Sequence, residues 1–180
     1  MAKKKKCKVC KIEFIPKYST VQVVCSALCS YQYAAKQREK KEEKEWKEKK
    51  KKWKKDLMTL QDYIKICQTH FNAYIRERDK GKNCISCNKP PKKANAGHYK
   101  SVGAHPELRF NELNVHLQCE HCNTYLHGNL IEYRKNLINK IGIEAVEELE
   151  KEHPPIKYSK QDVKELTEIY KNKIKELRNK

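Results

Sequence analysis

Residues Asn114–Asn123 read NVHLQCEHCN, two cysteines, two histidines and two asparagines in a chain otherwise rich in lysine and glutamate. Cys119 and Cys122 stand at C-x2-C spacing, and Cys84 and Cys87 repeat it with thirty-one residues between the pairs. Together the four thiolates complete a closed tetrahedral zinc site with no position left for water, so these cysteines hold the fold. The polar residues around them, His98, His105, Asn114, His116, His121, Asn123 and His127, are left for chemistry.

The rest of the chain supplies a second quartet. Cys7, Cys10, Cys25 and Cys29 follow C-x2-C-x14-C-x3-C, with Phe14, Val21 and Val23 between the pairs. Of nine cysteines only Cys67 stands outside the two sets. Disulfides are the rival pairing, but the opening MAKKKKCKVC has no apolar h-region and no membrane span follows; the expectation is a reduced, cytoplasmic protein with two structural zinc ions and no membrane. With 38% hydrophobic and 36% charged residues in 180, apolar burial alone is thin, which gives the metal braces a purpose.

A net charge of +18 calls for an anionic partner. Nucleic acid is the first candidate, because clustered Lys and Arg release condensed counterions from phosphates; a solvated basic coiled coil is the bland alternative. No proline or glycine occurs between Pro16 and Gly81, and strong helix formers fill the stretch from about residue 30. Within it Lys36–Lys55 carries twelve Lys or Arg against five Glu, including Lys49, Lys50, Lys51 and Lys52 as the candidate DNA-binding run. Trp46 and Trp53 open a seven-residue register that continues through Leu60, Cys67 and Tyr74. This predicts one long helix or two end to end, with a seam that could pair two copies. After Gly81 turns and ligand-type residues prevail to about Gly128; helices follow over Leu130–Lys140, ended by Gly142, over IEAVEELEKEH, stopped by Pro154, and over Gln161–Arg178, opened by the capping box Ser159-x-x-Asp162.

The predicted fold is mainly α with small zinc-braced α+β modules. It comprises an N-terminal four-cysteine module (1–30), a long basic helical segment (31–80), a second zinc-braced domain (81–130) and C-terminal helices (131–180).

A histidine after the first cysteine pair, an asparagine five residues before the second, and a polar residue just behind its last cysteine form a layout that resembles the HNH nucleases. The match rests on His98, Asn114, Cys119, Cys122 and Asn123. It departs at Gly97, where an acidic ligand commonly precedes the histidine, and at Asn123, where histidine is common. More widely, CKVCKIEF, IRERDKGKNCISC, AGHY, LRFNELNVHLQCEHCN, GNLIEYR and IGIEAVEELE resemble the phage lambda NinG (Rap) recombination protein family over nearly the full length. That resemblance implies a ββα-metal fold and a structure-specific endonuclease on branched DNA such as D-loops and Holliday junctions.

Under that resemblance His98 is the general base, Asn114 orients the imidazole or the phosphate, and Arg109 neutralises phosphate charge. Asn123 with His127 would hold one Mg2+ or Mn2+ ion, for which an amide oxygen is a suitably hard ligand. His116 is expected beside the zinc or on DNA, and His70, His105, His121 and His153 as structural or surface residues. The competing reading is a non-catalytic zinc-containing protein that binds branched DNA, supported by Gly97; a third is a basic scaffold recruiting a partner through the Trp46/Trp53 helix. Paired incisions at a junction would favour a homodimer.

Overall fold

A computed structural model describes residues 3–179 and divides between Met58 and Thr59 into two compact units. The fold is mainly helical with two small two-stranded sheets. No described helix is long and apolar enough to cross a membrane.

In the first unit, β1 (Lys5–Lys6) pairs antiparallel with β2 (Glu13–Phe14), Lys5 opposite Phe14. The turn between them carries Cys7 and Cys10 and closes with Lys11 at φ 64°. Helix α1 (Ala27–Asp56) starts one residue after Ser26, whose side chain accepts the Cys29 N–H. The last cysteine of the quartet therefore sits in the first turn of the helix. Beyond Cys29 no residue of α1 is buried; its surface is lysine and glutamate with i,i+4 pairs such as Glu43–Lys47.

Of the two readings of the 31–80 segment, one long helix or two end to end, the structure shows the second. Thr59 accepts from the Asp62 N–H, and the Asp62 carboxylate accepts from the Thr59 N–H (2.9 Å), a reciprocal cap that starts α2 (Leu60–Arg78) afresh. The seven-residue register from Trp46 to Tyr74 thus crosses a break, and Leu57, which caps the end of α1, is exposed. Helix α2 belongs to the second unit, where Ile64, Cys67, Phe71, Tyr74 and Ile75 are buried.

Those residues form one core with Val163, Tyr170 and Ile174 of α5 (Lys160–Arg178), and the Phe71 and Tyr170 rings meet edge-on at 4.9 Å. The expected Ser159–Asp162 capping box opens α5. Strands β3 (Ala94–His98) and β4 (Val115–Cys119) form an antiparallel hairpin, Ala94 opposite Cys119 and His98 opposite Val115. Strand alternation puts Ala96, His98, Val115 and Leu117 on one face and Gly97, His116 and Gln118 on the other. Val115 joins the α2–α5 core. A π-helical turn, His121–Tyr125, leads from β4 toward α3 (Leu130–Ile141) and α4 (Ile143–Glu150). Helices α3 and α4 build a second core of Tyr133, Leu137, Val146 and Leu149 with Tyr99 and Leu108. The C-terminal helices are therefore not a region apart from 81–130: they complete the two cores of its hairpin's unit.

Candidate functional site

The four sulfurs of each quartet lie within 4.8 Å of one another. Sulfur separations within them include 3.4 Å for Cys10–Cys25, 3.7 Å for Cys25–Cys29 and 3.9 Å for Cys87–Cys119. Four sulfurs about 2.3 Å from one zinc stand roughly 3.8 Å apart, whereas a disulfide holds them near 2.0 Å. Both quartets are therefore free thiols compatible with structural zinc. Burial pushes the Cys7 and Cys84 thiols up, but backbone N–H groups around each outweigh it and the net shift is down, toward the thiolate that metal needs. The Cys122 N–H also points at Cys119 Sγ (3.4 Å), a knuckle that orients the ligand.

The second knuckle anchors the end of the hairpin opposite His98, since Cys119 pairs with Ala94 at one end and His98 with Val115 at the other. His98 is half-buried, 6.4 Å from the Phe71 ring centroid, with Nε2 3.0 Å from the Arg109 carbonyl oxygen. A carbonyl can only accept, so Nε2 carries the proton and Nδ1 keeps its lone pair in the neutral ring. Burial lowers the His98 pKa below that of free imidazole, the carbonyl bond opposes this, and the Arg109 charge lowers it further. The imidazole is thus neutral at pH 7, with one nitrogen fixed and the other available to take a proton.

Asn114 holds this arrangement from behind. Fully buried, it accepts the Lys100 N–H (2.8 Å) and donates to the Lys100 (3.0 Å) and Leu108 (3.1 Å) carbonyls. Its amide is consumed within the β3–β4 loop and is not turned to the imidazole or to solvent; it fixes the segment whose next carbonyl, that of Arg109, receives His98. Asn114 is a positioning residue. The Arg109 guanidinium reaches Gln68 Oε1 at 3.5 Å, half-exposed and near enough to His98 to bear on its charge.

Gly97 has a packing cause. A Cβ there would lie 2.9 Å from Gln118 Cβ and closer still to Gln118 Oε1. Gln118 is itself buried, donating to Ser86 Oγ (2.6 Å) and the Gly128 carbonyl (2.5 Å). No acidic ligand fits at position 97 while Gln118 occupies that space. Among the described residues only the two cysteine quartets gather three or more His, Cys, Asp or Glu side chains as a metal group. Asn123 lies in the π-helical turn and His127 is exposed in the following turn at φ 47°. Together they offer an amide oxygen and an imidazole without a carboxylate, a donor set that suits only a largely hydrated divalent ion.

Lys49, Lys50, Lys51 and Lys52 are all exposed on α1. His116, expected at zinc or DNA, is at neither. It is 2% exposed, its Nε2 bonded to the Leu113 carbonyl and its Nδ1 facing Arg78 (3.0 Å) and Lys140 (2.9 Å). It belongs to a hub centred on Asp79, which is 1% exposed. Asp79 pairs with Arg78 (2.7 Å), Lys82 (3.0 Å) and Lys140 (3.5 Å) and accepts the Leu117 N–H (3.2 Å). Burial raises the Asp79 pKa, but His116, Arg78 and Lys82 hold it far below the usual carboxylate range. This hub ties the end of α2 to β4; its only trace in the sequence is an acid framed by bases in RERDKGK.

The whole of residues 1–180 matches the family model described as Bacteriophage Lambda NinG protein. Protein ninG of Escherichia phage 933W is 42% identical over 190 residues, covering 98% of this chain and 94% of the relative. Protein ninG of Enterobacteria phage H19B is 38% identical with the same coverage. Protein ninG of Escherichia phage lambda is 45% identical over 118 residues, 65% of this chain and 58% of that one. No solved structure matches. This chain belongs to the NinG family of bacteriophage proteins.

Proposed function

We propose that this protein is an HNH-like endonuclease that hydrolyses phosphodiesters in branched DNA, such as D-loops and Holliday junctions, during phage recombination. The observation that carries the reading is His98, a neutral imidazole with Nε2 tied to a carbonyl and Nδ1 unprotonated, at the end of a zinc-braced hairpin beside an arginine. His98 takes a proton from the attacking water, and Arg109 meets charge on the phosphate. Asn114 holds the Leu108–Arg109 segment so that the imidazole stays aimed. Asn123 and His127 would hold a divalent ion, Mg2+ or Mn2+, at the knuckle end of the hairpin, where it would neutralise charge on bound phosphates. The charge of +18 supports a DNA substrate bound mainly through its backbone.

The test is cleavage of a synthetic four-way junction and a D-loop, with Mg2+ or Mn2+. His98→Ala should lose activity by at least about a hundredfold while retaining DNA binding and zinc content. In the parent, activity should persist as pH falls past the ordinary imidazole value near 6.5 and disappear only below it, because the folded pKa is lowered. His98→Ala cutting as well as the parent would refute the assignment.

A second reading, a non-catalytic protein that binds branched DNA, has one observation in its favour: the space for an acidic ligand beside His98 is filled by Gln118. Binding without cleavage in any divalent metal would establish it.

A further inference from the structure

Trp46 and Trp53 are the only tryptophans of the chain, and both lie on the most polar helix in it. They are 55% and 53% exposed on α1, whose buried residue is Cys29, far along the helix from either ring. Seven residues apart, they share a helix face, and a straight helix separates their Cα atoms by about 10.5 Å along its axis. Their ring centroids are nonetheless only 5.6 Å apart with planes at 88°, so the indoles lean together into one ridge. Lys49 and Lys50 fall three and four residues from each ring and therefore lie on the same face between them. The outcome is an exposed aromatic pair with cations set along it.

Two exposed indoles on a helix invite a partner, and charge decides which. Lys36–Lys55 carries a net +7, and a second copy in register would bring +7 against +7. A coiled-coil seam also fails between the rings, because the positions three and four residues after Trp46 are Lys49 and Lys50, so neither register sets an apolar residue there. A polyanion instead neutralises the lysines. Among polyanions, nucleic acid with unpaired bases adds flat π-faces for the indoles, whereas a base-paired stack hides those faces.

We infer that the Trp46–Trp53 ridge of α1 binds unpaired nucleobases of a single-stranded DNA segment, stacking bases on the indoles while Lys49 and Lys50 hold the adjoining phosphates. In the setting of the function proposed above, that segment is the displaced or frayed strand at a branch. The inference rests on the DNA-binding part of that reading and is independent of cleavage.

The experiment uses the full chain carrying His98→Ala, so that no substrate is consumed, and excitation selective for tryptophan. Emission then reports on this helix alone, because no other tryptophan exists. Single-stranded oligothymidylate should quench it on binding, and heparin, a polyanion without bases, should bind without comparable quenching. Trp46→Ala with Trp53→Ala should weaken oligothymidylate binding, read by anisotropy of a labelled strand, on the order of tenfold per ring. The two phenylalanine replacements should retain part of that affinity, which loss of helix would not allow. Alanine favours helix and neither ring is buried, so the variants should keep the parent's circular dichroism.

Oligothymidylate binding without quenching, or alanine variants that bind as the parent does, would overturn the inference. So would a shift of emission with protein concentration together with sedimentation as a dimer, which would assign the ridge to a second copy. If the parent cuts junctions while its tryptophans ignore single strands, only this inference falls; if the protein binds no DNA, the proposed function falls with it.

Discussion

Each unit has a cysteine quartet, yet the two quartets carry different structural weight. In the first unit the buried hydrophobic residues are Cys7 and Cys29, both members of the quartet, and α1 extends from them with every other position in contact with water. In the second, the quartet braces one end of a hairpin already covered by two hydrophobic clusters and joined to α2 by the Asp79 hub. The same four-thiolate chemistry is thus nearly the whole core in one place and one brace among several in the other. A small, charged segment with so little apolar surface to bury needs a cross-link of this kind to fix its structure.

Metal loss should separate the units most. Structural zinc contributes on the order of 10 kcal/mol in small modules at pH 7. Cys29→Ser should therefore leave residues 3–26 unprotected in hydrogen exchange. Cys119→Ser should release the hairpin end and the following π-helical turn, and with them the DNA cleavage proposed above. The α2–α5 core around Phe71 and Tyr170 should stay protected, since no cysteine ligand contributes to it. Equal loss of protection throughout the second unit would erase the distinction.

The Asp79 hub offers the next largest effect. Asp79→Asn leaves Arg78, Lys140 and Lys82 without their shared anion at a site 1% exposed, which should cost the second unit about 3–5 kcal/mol in denaturant unfolding. The pH dependence has a defined sign. The folded carboxyl lies far below its unfolded value near 3.8, so its stabilisation is complete above that value and is lost as pH falls below it. His116, lowered chiefly by burial, loses stabilisation at higher pH, as pH falls from about 6.5 toward its folded pKa. In Asp79→Asn the component below pH 4 should disappear, while the first unit, which lacks this hub, should be unaffected.

What sequence reading could reach follows the same division. Both cysteine quartets and the Ser159 cap are local patterns, and local patterns fix local structure. The hub is another matter: Asp79 meets Lys140 and Leu117 across sixty-one and thirty-eight positions, and no spacing rule connects an acid to such partners. Asn114 could be singled out by its place before the cysteines, but its use as a loop clamp depends on where Lys100 and Leu108 lie in space. Gly97 reads as a missing ligand until Gln118 is seen filling the site. The break between α1 and α2 was legible, because Thr59-x-x-Asp62 is a capping signature; the apolar seven-residue register masks it by continuing across the junction.

That junction yields the smallest predicted effect and a test of where the units divide. Thr59 and Asp62 exchange bonds at the start of α2, and burial opposes but does not overcome the Thr59 bonds that lower the Asp62 pKa. Thr59→Ala deletes the side-chain acceptor for the Asp62 N–H and should destabilise the second unit by about 1 kcal/mol. The loss should appear as faster exchange in the first turn of α2, with α1 unchanged. Alanine is also the strongest helix former, so the substitution removes a stop signal while favouring helix through residues 57–59. Were α1 and α2 held apart by the cap alone, helicity would rise as stability fell. Leu57 is 81% exposed and α2 is already committed to the core through Ile64, Phe71 and Tyr74, so fusion would gain no apolar burial at the junction. The expected result is therefore lower stability with unchanged helix content, measured by circular dichroism alongside denaturant unfolding; a gain in helicity would show that the boundary rests on one hydroxyl and not on how the second unit packs.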